Sequence, residues 1–388
     1  MNQHLPTRTD TLHQLNLYLH FPFCRSKCHY CGFFSQVDKG QEIPAYVNAL
    51  RQEIINSSRL ADRYRVCTIY FGGGTPSLLS SETIKEIIKS ICKYFIVEKE
   101  AEITLEANPE SLTERKLAGY FKAGINRLSL GLQAWQDELL TYLGRGSMQK
   151  DFIDAFKSAR AIGFRNINVD LIFAIPNQTL NQWQTTLKKV TALEPEHISC
   201  YSLELDNSSV IGKLHSQGKF KTTDEVLDRE MYVLAKEMLK DSGYHHYEIS
   251  NFSKAGYECK HNLSFWQYQP YLGLGAGAHS FFKDKRFSNI CNVHQYIEES
   301  LSGKLAFNSG KLINNRQQIS EAIMLGLRLI SGLDIKQFKQ RFGKNIFTLY
   351  GQNLRLLIQA ELIKYDGNVL KLTNKGIDLS NQVAMTLI

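Results

Sequence analysis

Three cysteines lie close together near the start of the chain, in the segment His20-Phe21-Pro22-Phe23-Cys24-Arg25-Ser26-Lys27-Cys28-His29-Tyr30-Cys31. Three residues separate Cys24 from Cys28, and two separate Cys28 from Cys31. Each iron of a four-iron cluster takes one soft thiolate, so a loop with three cysteines holds three irons and leaves the fourth open. The spacing therefore predicts a [4Fe-4S] cluster with one iron available for chemistry.

Zinc is the first alternative for these cysteines. A structural zinc site is closed and tetrahedral and usually takes two ligand pairs far apart in sequence, but no second Cys-x-x-Cys occurs here. His29 could supply a fourth ligand, although its place inside the same short loop would close the site awkwardly. Disulfides are less expected still, because the other cysteines are scattered and mostly in apolar segments, which predicts buried, reduced thiols. They are Cys67, Cys92, Cys200, Cys259 and Cys291.

The composition is that of a globular protein with one large and one small domain. The chain has 388 residues, of which 43% are hydrophobic and 22% charged, and no apolar run is long enough to span a bilayer. The stretch from Met1 to Asn16 resembles neither a secretory signal nor an anchor, which predicts a cytoplasmic protein. The net charge of +8 is spread along the chain. Nucleic-acid binding is therefore not expected, whereas a nucleoside with a carboxylate or a porphyrin with propionates would suit the charge.

Short apolar runs alternate with longer amphipathic runs through the first half of the chain. The predicted strands are Leu15–Phe21, Val66–Phe71, Glu102–Glu106, Arg127–Leu132, Ile167–Ile172 and Ile198–Leu203, and the predicted helices include Ile43–Ser57, Ser81–Tyr94 and Leu180–Leu193. Such alternation predicts an α/β fold with a parallel sheet, and six units are too few for a full eight-fold barrel. A partial (β/α)6 barrel is expected, with its functional end at the carboxyl ends of the strands. The cysteine loop follows the first strand and so lies at that end.

The C-terminal part has a different pattern from about Ser309 onward. Gln318–Ile330 has a helical pattern, two more helical runs follow, and Leu362–Leu372 is typical of a β-hairpin. We therefore expect domains at 1–308 and 309–388, the second resembling a winged helix. Because its charge is not concentrated, packing is favoured over DNA binding.

A run of three glycines, Gly72-Gly73-Gly74, ends the second predicted strand and is followed by Thr75 and Pro76. Its spacing matches neither a dinucleotide fingerprint nor a phosphate loop. Alone it could be a tight turn. Beside an open iron it would let a chelating ligand approach the backbone with no Cβ in the way.

The cysteine motif and the glycine run together resemble the radical S-adenosylmethionine (SAM) superfamily. In that superfamily the methionine part of SAM chelates the open iron, and an electron from the cluster cleaves SAM to a 5′-deoxyadenosyl radical. The resemblance implies a partial (β/α) barrel that binds a [4Fe-4S] cluster through Cys24, Cys28 and Cys31.

Further segments resemble the oxygen-independent coproporphyrinogen III oxidase group over nearly the whole chain. They are 18–24, 73–76, Leu105-Glu106-Ala107-Asn108-Pro109, Ser129-Leu130-Gly131-Leu132-Gln133, Leu143-Gly144-Arg145 and Asp170-Leu171-Ile172. The resemblance implies that SAM is surrounded by Tyr18, Tyr30, Gly73, Gly74, Thr75, Glu106, Gln133, Arg145, Asp170, Ser202 and His279. Carboxylates in this set suit ribose hydroxyls, and Arg145 suits a carboxylate. For each residue alone, an ordinary polar group at a strand end is the alternative.

Two departures point within this group to the HemW-type haem chaperones. The oxidases carry a fourth cysteine where this chain has Phe33, and they have a long extension before the cluster motif. The segment Cys259-Lys260-His261-Asn262-Leu263-Ser264-Phe265-Trp266 resembles the His-Asn-x-x-Tyr-Trp signature of the chaperones. The resemblance implies that His261 is an axial ligand of haem, with Phe265 and Trp266 as apolar walls. A buried histidine bonded to the backbone is the alternative, and Cys259 is a less favoured ligand.

Other positions depart from the family pattern near the expected pocket. Phe265 replaces a tyrosine, Gly146-Ser147 replaces a segment that usually contains histidine, and 205–209 lacks the usual Pro-Gly-Thr turn. Ala174 and Asn177 stand where the family prefers glycines.

The leading interpretation is a haem chaperone that binds the cluster, SAM and haem and transfers haem to an acceptor protein, with an electron donor as a further partner. An oxidase that decarboxylates two propionates of coproporphyrinogen III is the main alternative. A cluster-containing regulator that binds DNA through the C-terminal domain is a weaker one.

Overall fold

A computed structural model describes residues 12–37, 41–307 and 310–387. The strands are β1 (His13–Phe21), β2 (Phe23–Cys24), β3 (Gln36–Val37), β4 (Tyr64–Gly73), β5 (Ile96–Ala107), β6 (Arg127–Gln133), β7 (Ile167–Phe173), β8 (His197–Ser202), β9 (His245–Glu248), β10 (Asn251–Ser253), β11 (Tyr271–Leu274), β12 (His279–Phe282), β13 (Lys285–Ser288), β14 (Lys311–Leu312), β15 (Leu333–Asp334), β16 (Ile363–Tyr365) and β17 (Val369–Leu372). The helices of the first two thirds are α1 (Ile43–Ser58), α2 (Ser81–Tyr94), α3 (Glu114–Ala123), α4 (Asp137–Tyr142), α5 (Gln149–Ile162), α6 (Leu180–Thr191), α7 (Val210–Ser216) and α8 (Glu225–Asp241). The remaining helices are α9 (Lys260–Trp266), α10 (Val293–Leu301), α11 (Asn315–Gly326), α12 (Ile335–Phe342), α13 (Ile346–Gln359), α14 (Asn374–Asp378) and α15 (Ser380–Thr386).

Parallel strands form the centre of one large sheet. The six predicted strands are β1 and β4 to β8, and they lie side by side in chain order, which confirms the predicted partial barrel. A seventh parallel strand, β11, pairs with the other side of β1. It has four residues, too few for a periodic sequence pattern. Antiparallel strands extend both edges, with β12, β13 and β14 at one and β10 and β9 at the other.

Alternation along the strands separates an apolar face from a polar one. In β1 the side chains of Leu15, Leu17 and Leu19 are buried in the main hydrophobic core, where they pack with residues of the surrounding helices. The residues between them point to the other face, as a strand requires. Some of the helices that cover the apolar face begin at side-chain caps: the hydroxyl of Ser80, for example, accepts the Thr83 N–H at the start of α2.

The concave face of the partial barrel is polar, and we call the space it encloses the lumen. The side chains that β1 and β4 to β8 turn toward it include Asn16, Tyr18, His20, Thr68, Tyr70, Glu102, Thr104, Glu106, Arg127, Asn168, Asp170 and His197. Many bond to each other across neighbouring strands, as Thr68 does to Asn16 at 2.8 Å. A polar lumen of this kind suits a polar ligand better than a packed barrel core would.

The C-terminal region contains the predicted hairpin within a small sheet of order β15-β17-β16, beside α11, α12 and α13. The expected domain boundary at 308 and 309 falls on two residues outside the described part. The prediction of one helix over Gln318–Ile330 was wrong in its limits, because the helix starts at Asn315 after the Asn314 cap and ends at Gly326. The chain then turns so that Ile330 can donate its N–H to the Tyr247 carbonyl, 3.0 Å away.

This region contacts the large sheet near both of its edges. Near one edge, Arg286 of β13 forms an ion pair with Glu321 of α11 at 2.7 Å. At the other edge, Glu248 at the end of β9 forms an isolated bridge with Leu329. The C-terminal region therefore lies across the side on which the partial barrel does not close.

All cysteines are free thiols, as expected, but their burial was predicted only in part. Cys200 and Cys259 are buried, whereas Cys67 is half-buried and Cys92 and Cys291 are exposed. The two exposed thiols lie in a helix and a loop on the surface, where an apolar neighbour in sequence does not ensure burial.

Residues 1–11, most of the stretch on which the cytoplasmic prediction depends, lie outside the described part of the chain. Within the described part, no helix has the length and apolar character needed to cross a membrane.

Candidate functional site

The cysteine loop lies at the carboxyl end of β1 and is joined to the glycine run at the end of β4. The Gly74 N–H donates to the Phe21 carbonyl at 2.8 Å, and the Thr75 N–H donates to the Phe23 carbonyl at 2.8 Å. The Thr75 hydroxyl also donates to Sγ of Cys24 at 3.5 Å. The two motifs that are some fifty residues apart in sequence thus form one unit.

Glycine is required at position 74 for close packing against this loop. A Cβ there would lie 2.7 Å from the Phe23 carbonyl oxygen and 2.9 Å from Sγ of Cys24. At Gly73 the backbone has φ +113°, and a Cβ would meet the His20 ring at 2.7 Å. The glycine run therefore serves the close backbone approach that its sequence predicts.

The three thiols of the loop lie near one another without converging on a point. Burial raises the pKa of Cys24 and of Cys31, and the charge of Cys28 acts on both. Over residues 12–37, 41–307 and 310–387, no three His, Cys, Asp or Glu side chains are arranged to hold one metal ion. His29 is held elsewhere, since its Nδ1 is 2.9 Å from the Tyr142 carbonyl. The three thiols, without His29, therefore remain the candidate ligands of the loop.

Arg145 connects the cysteine loop to the strand ends. Its Nη1 lies 3.7 Å from Sγ of Cys28, and its Nη2 donates to Oδ1 of Asn108 at 3.0 Å and to the Gly131 carbonyl at 2.8 Å. Its Nε is buried without an acceptor in the described structure. The guanidinium next to the cysteine loop is thus suited to a carboxylate ligand. Tyr30 lies beside it, and burial raises the pKa of that phenol.

Glu106 lies in the lumen beside the glycine run. One oxygen accepts the Tyr70 hydroxyl at 2.8 Å and the other accepts the Gly73 N–H at 3.2 Å. Burial, with a contribution from the charge of Asp170, raises the pKa of Glu106 to about 7. The carboxylate is placed to accept from hydroxyls of a ligand lying over Gly73.

Three other predicted residues line the same end of the lumen. The Tyr18 hydroxyl is 3.1 Å from Nδ1 of His20, and Asp170 accepts the Ser129 hydroxyl at 2.9 Å. Gln133 has φ 72° at an irregularity between β6 and β7, an uncommon conformation for a non-glycine residue. These residues therefore share one region with Glu106.

Ser202 and His279 lie at the margins of this region. The Ser202 hydroxyl is bonded to Asp228 of α8. His279 is exposed on β12, although its charge is close enough to contribute to lowering the pKa of His20, which burial lowers most. Glu106 and Gly73 are therefore bonded to each other, whereas Ser202 is bonded to α8 and His279 is exposed.

His261 is buried inside the lumen, with 2% of its surface exposed. Its Nδ1 is 2.6 Å from the Thr68 hydroxyl, and its ring stacks on Tyr70 with 4.9 Å between centroids. Burial lowers the pKa of His261 to about 3, with the nearby Arg127 charge adding to the effect. Its Nε2 is buried with no hydrogen-bond partner in the described structure. The imidazole is thus neutral and has one uncommitted nitrogen.

The short helix that carries His261 is fixed from its N-terminal end. The Glu102 carboxylate accepts the N–H of Lys260 at 3.0 Å and the N–H of His261 at 3.1 Å. A carboxylate at a helix N-terminus is favourable because it satisfies free N–H groups. Phe265 packs edge-on against His261, whereas Trp266 contacts the C-terminal region. The two aromatics expected to wall one ligand therefore face different surroundings here.

Two positions that depart from the family pattern have the backbone that glycine favours. Ala174 has φ 57° and Asn177 has φ 67°. Asparagine tolerates this conformation more readily than alanine does. Phe33, at the position of the oxidases' fourth cysteine, is 69% exposed.

Several residues of the site had not been predicted from the sequence. They are His20, Thr68, Tyr70, Glu102, Asn108 and Arg127. Most alternate with apolar residues along predicted strands, which is the signal that could have revealed a polar lumen. Asn108 and His20 stood within segments already noted for their resemblance, although neither was named as a site residue.

Comparisons with known proteins agree with this fold. Residues 18–190 match the family model described as the Radical SAM superfamily, and residues 313–379 match the HemN C-terminal domain. The second match corresponds to the C-terminal region of the fold.

Curated relatives match over nearly the whole chain. The haem chaperone HemW of Bacillus subtilis is 36% identical over 367 residues, which are 94% of this chain and 97% of that protein. The haem chaperone HemW of Lactococcus lactis is 34% identical, with 94% of this chain and 95% of that protein covered. A mouse protein named as mitochondrial radical S-adenosyl methionine domain-containing protein 1 is 30% identical over 96% of this chain and 87% of its own length.

A solved structure has the same architecture throughout. Coproporphyrinogen III oxidase (HemN) from Escherichia coli, described as a radical SAM enzyme, superimposes with a TM-score of 0.84 at 25% identity. The match covers 98% of this chain and 91% of the other.

Proposed function

The chain belongs to the HemW family of radical SAM proteins, and we propose that it acts as a haem chaperone. It would bind a [4Fe-4S] cluster, SAM and haem and transfer the haem to an acceptor protein. The observation that carries the proposal is the full-length similarity to proteins named as haem chaperones, at 33–36% identity among bacterial relatives. Phe33 supports it, because a phenyl ring cannot supply a fourth thiolate.

We infer that the cluster is held by Cys24, Cys28 and Cys31. Thr75 donates a hydrogen bond to Sγ of Cys24, and Arg145 donates one to Sγ of Cys28. Both support the inference, since such hydrogen bonds favour sulfur in its anionic form. A bound cluster would supply an open iron and a source of one electron.

SAM would bind at the strand ends around the glycine run. Arg145 has the geometry to pair with its carboxylate, and Glu106 has the geometry to accept its ribose hydroxyls. The remaining contacts would come from Tyr18, Tyr30, Gly73, Gly74, Thr75, Gln133 and Asp170, with Ser202 and His279 at the margin. A stabilising effect of SAM on the protein should follow from these contacts.

Haem coordination by His261 would require a change of conformation. The neutral imidazole and its uncommitted Nε2 are suited to iron, but the ring is enclosed by Tyr70 and Phe265. We propose that the Tyr70 and Phe265 side chains move aside when haem binds, while the bonds of α9 to Glu102 and Thr68 persist.

One experiment separates the chaperone from an oxidase, the activity named for the Escherichia coli structural relative. The cluster is reconstituted under anaerobic conditions, haem binding is followed by absorbance, and coproporphyrinogen III is followed by chromatography. We expect haem to bind and coproporphyrinogen III to persist in the presence of SAM and a reductant. Conversion to protoporphyrinogen IX would overturn the proposal.

The cluster itself is tested with Cys28→Ser, using Cys291→Ser as a matched control at an exposed single thiol. The first variant should lose the iron and the visible absorbance of the reconstituted protein, and the second should keep both. Recovery of one zinc per chain in place of iron would contradict the cluster.

Partners and location follow from the same proposal. An electron donor and a haem-acceptor protein are expected in the cytoplasm, and binding to nucleic acid is not. A salt-sensitive gel shift with duplex DNA would instead favour a regulator.

A further inference from the structure

A cleft lies between α9 and the C-terminal region, on the side of α9 away from the lumen. Its volume is about 170 Å³, and its lining includes Ile249, Trp266, Met324, Arg328 and Val383. Most of this lining is apolar, and Arg328 is its only charged side chain among the described residues. The cleft therefore combines an apolar wall with one cation.

Arg328 lies against the Trp266 ring, with 4.6 Å from Cζ to the ring centroid. In the described structure its guanidinium forms no hydrogen bond and no ion pair within 4.0 Å. Its Nε is buried without an acceptor, and so is Nε1 of Trp266. Two buried N–H donors on adjoining side chains thus lack a partner, an arrangement that usually has a ligand or water to explain it.

The nearest acid does not supply that partner. Glu248 is fully buried, and one of its oxygens accepts the N–H of Ser250 at 3.0 Å and the side-chain amide of Asn251. Burial raises the pKa of Glu248, and the charge of Arg328 opposes that shift. The other oxygen of Glu248 is buried without a hydrogen-bond partner among the described residues, so Arg328 and Glu248 interact through charge but share no hydrogen bond, and the Arg328 donors remain free.

We propose that this cleft binds a carboxylate of a flat apolar ligand, with Arg328 as the ionic partner and Trp266 as the stacking wall. A planar guanidinium pairs well with a carboxylate, and an indole face suits an aromatic ring. The identity of the ligand rests on the proposed function: the ligand is haem, and the carboxylate is one of its propionates. The volume suits one pyrrole ring and its substituent, since a cavity of about 150 Å³ holds a benzene molecule.

This subsite is distinct from the one at His261. His261 faces Thr68 in the lumen, whereas Trp266, five residues further along α9, faces Arg328. The cleft thus recognises the edge of the macrocycle and contributes no axial ligand. An arginine substitution there should change affinity and leave the coordination spectrum unchanged.

The test compares iron protoporphyrin IX with its dimethyl ester, which lacks the carboxylates, on the full chain with its cluster. Wild-type protein should bind the free acid about tenfold more tightly than the ester, the size expected of a hydrogen bond to a charged group. Arg328→Gln should bind both alike, with an unchanged Soret position, and Arg328→Lys should restore part of the preference. Arg316→Gln, at an exposed position of α11, is the matched control and should behave as wild type.

Equal affinities of wild-type protein for the two ligands would overturn the subsite, as would a preference that persists in Arg328→Gln. The wild-type comparison tests the inference even if Arg328→Gln fails to fold. Failure of wild-type protein to bind either ligand would instead overturn the proposed haem chaperone and the subsite with it.

Discussion

Thr68 fixes the tautomer of His261. The Thr68 hydroxyl donates its single proton to Oδ1 of Asn16 at 2.8 Å, and the Asn16 amide is oriented by its own donation to the Pro270 carbonyl at 3.2 Å. The Thr68 oxygen, 2.6 Å from Nδ1 of His261, must therefore accept the Nδ1 proton. Nε2 is left with a free lone pair, the form of imidazole that coordinates a metal.

Thr68→Val should weaken haem coordination by His261. Valine keeps the shape of threonine but accepts no hydrogen bond, so the Nδ1–H form loses its support. Loss of such an outer partner typically lowers metal affinity by 10- to 100-fold, about 1–3 kcal/mol. Haem titration followed by absorbance measures the change.

Thr104→Val is the control for this variant. Thr104 also lies in the lumen, but its hydroxyl has no partner in the described structure, so its removal should leave haem affinity unchanged. Equal affinities of Thr68→Val and wild-type protein would remove the proposed role of this hydrogen bond.

Glu106 should make stability depend on pH between about 4.5 and 7. Its folded-state pKa, about 7, exceeds the ordinary value of 4.5, so the folded chain binds this proton more tightly than the unfolded chain. The stabilisation is complete below pH 4.5 and is lost as the pH rises through 7. The shift corresponds to a fall of about 3 kcal/mol in the free energy of unfolding.

Glu106→Gln isolates this effect, because glutamine does not titrate. Urea unfolding of both proteins across this pH range should show wild-type stability falling relative to the variant. Two curves that remain parallel would show that Glu106 titrates near its ordinary value in the folded protein.

Gly74→Ala should reduce cluster incorporation. The new Cβ would lie 2.7 Å from the Phe23 carbonyl oxygen and 2.9 Å from the Phe21 carbonyl oxygen, and backbone atoms cannot move aside cheaply. The cysteine loop should shift away from Thr75, with a lower iron content per chain after reconstitution. Gly351→Ala, in a helix where the nearest atom is 3.9 Å away, should keep full iron content. Normal iron in Gly74→Ala would show that the loop adapts.

The partial barrel could be predicted because its order comes from local patterns. Strands such as Arg127–Gln133 are short apolar segments bounded by turns. The helix predicted from the helical periodicity of Ser81–Tyr94 has the same first and last residues in the structure. The position of the cysteine loop at the strand ends could also be predicted, because the loop directly follows the first strand in the chain. These features need no knowledge of distant contacts.

The position of His261 could not be predicted in this way. Its motif indicated a ligand for haem, but the burial of α9 depends on Glu102 and Thr68, which lie more than 150 residues earlier in the chain. The surroundings of Trp266 could not be predicted either, because its ring contacts Arg328 of the C-terminal region, which is distant in sequence. A local motif identifies the residue types, whereas long-range packing decides which face of the helix each one occupies.

Glu321→Ala should weaken the attachment of the C-terminal region to the sheet. Glu321 binds Arg286 through several hydrogen bonds of 2.7–3.2 Å and also accepts the Tyr268 hydroxyl at 2.9 Å. Both charged side chains are about two-thirds buried or more, so removal of one leaves the other short of partners. We expect a loss of about 1–2 kcal/mol in the free energy of unfolding.

Glu86→Ala is the matched control, because Glu86 pairs with Arg51 at 3.4 Å on an exposed surface. An exposed pair contributes about 0.5 kcal/mol or less, so this variant should unfold almost as wild type does. Limited proteolysis adds a second measurement: Glu321→Ala should release the C-terminal region faster than Glu86→Ala. If both variants resist protease and urea equally, the contacts of Leu329 and Ile330 with β9 suffice to hold that region in place.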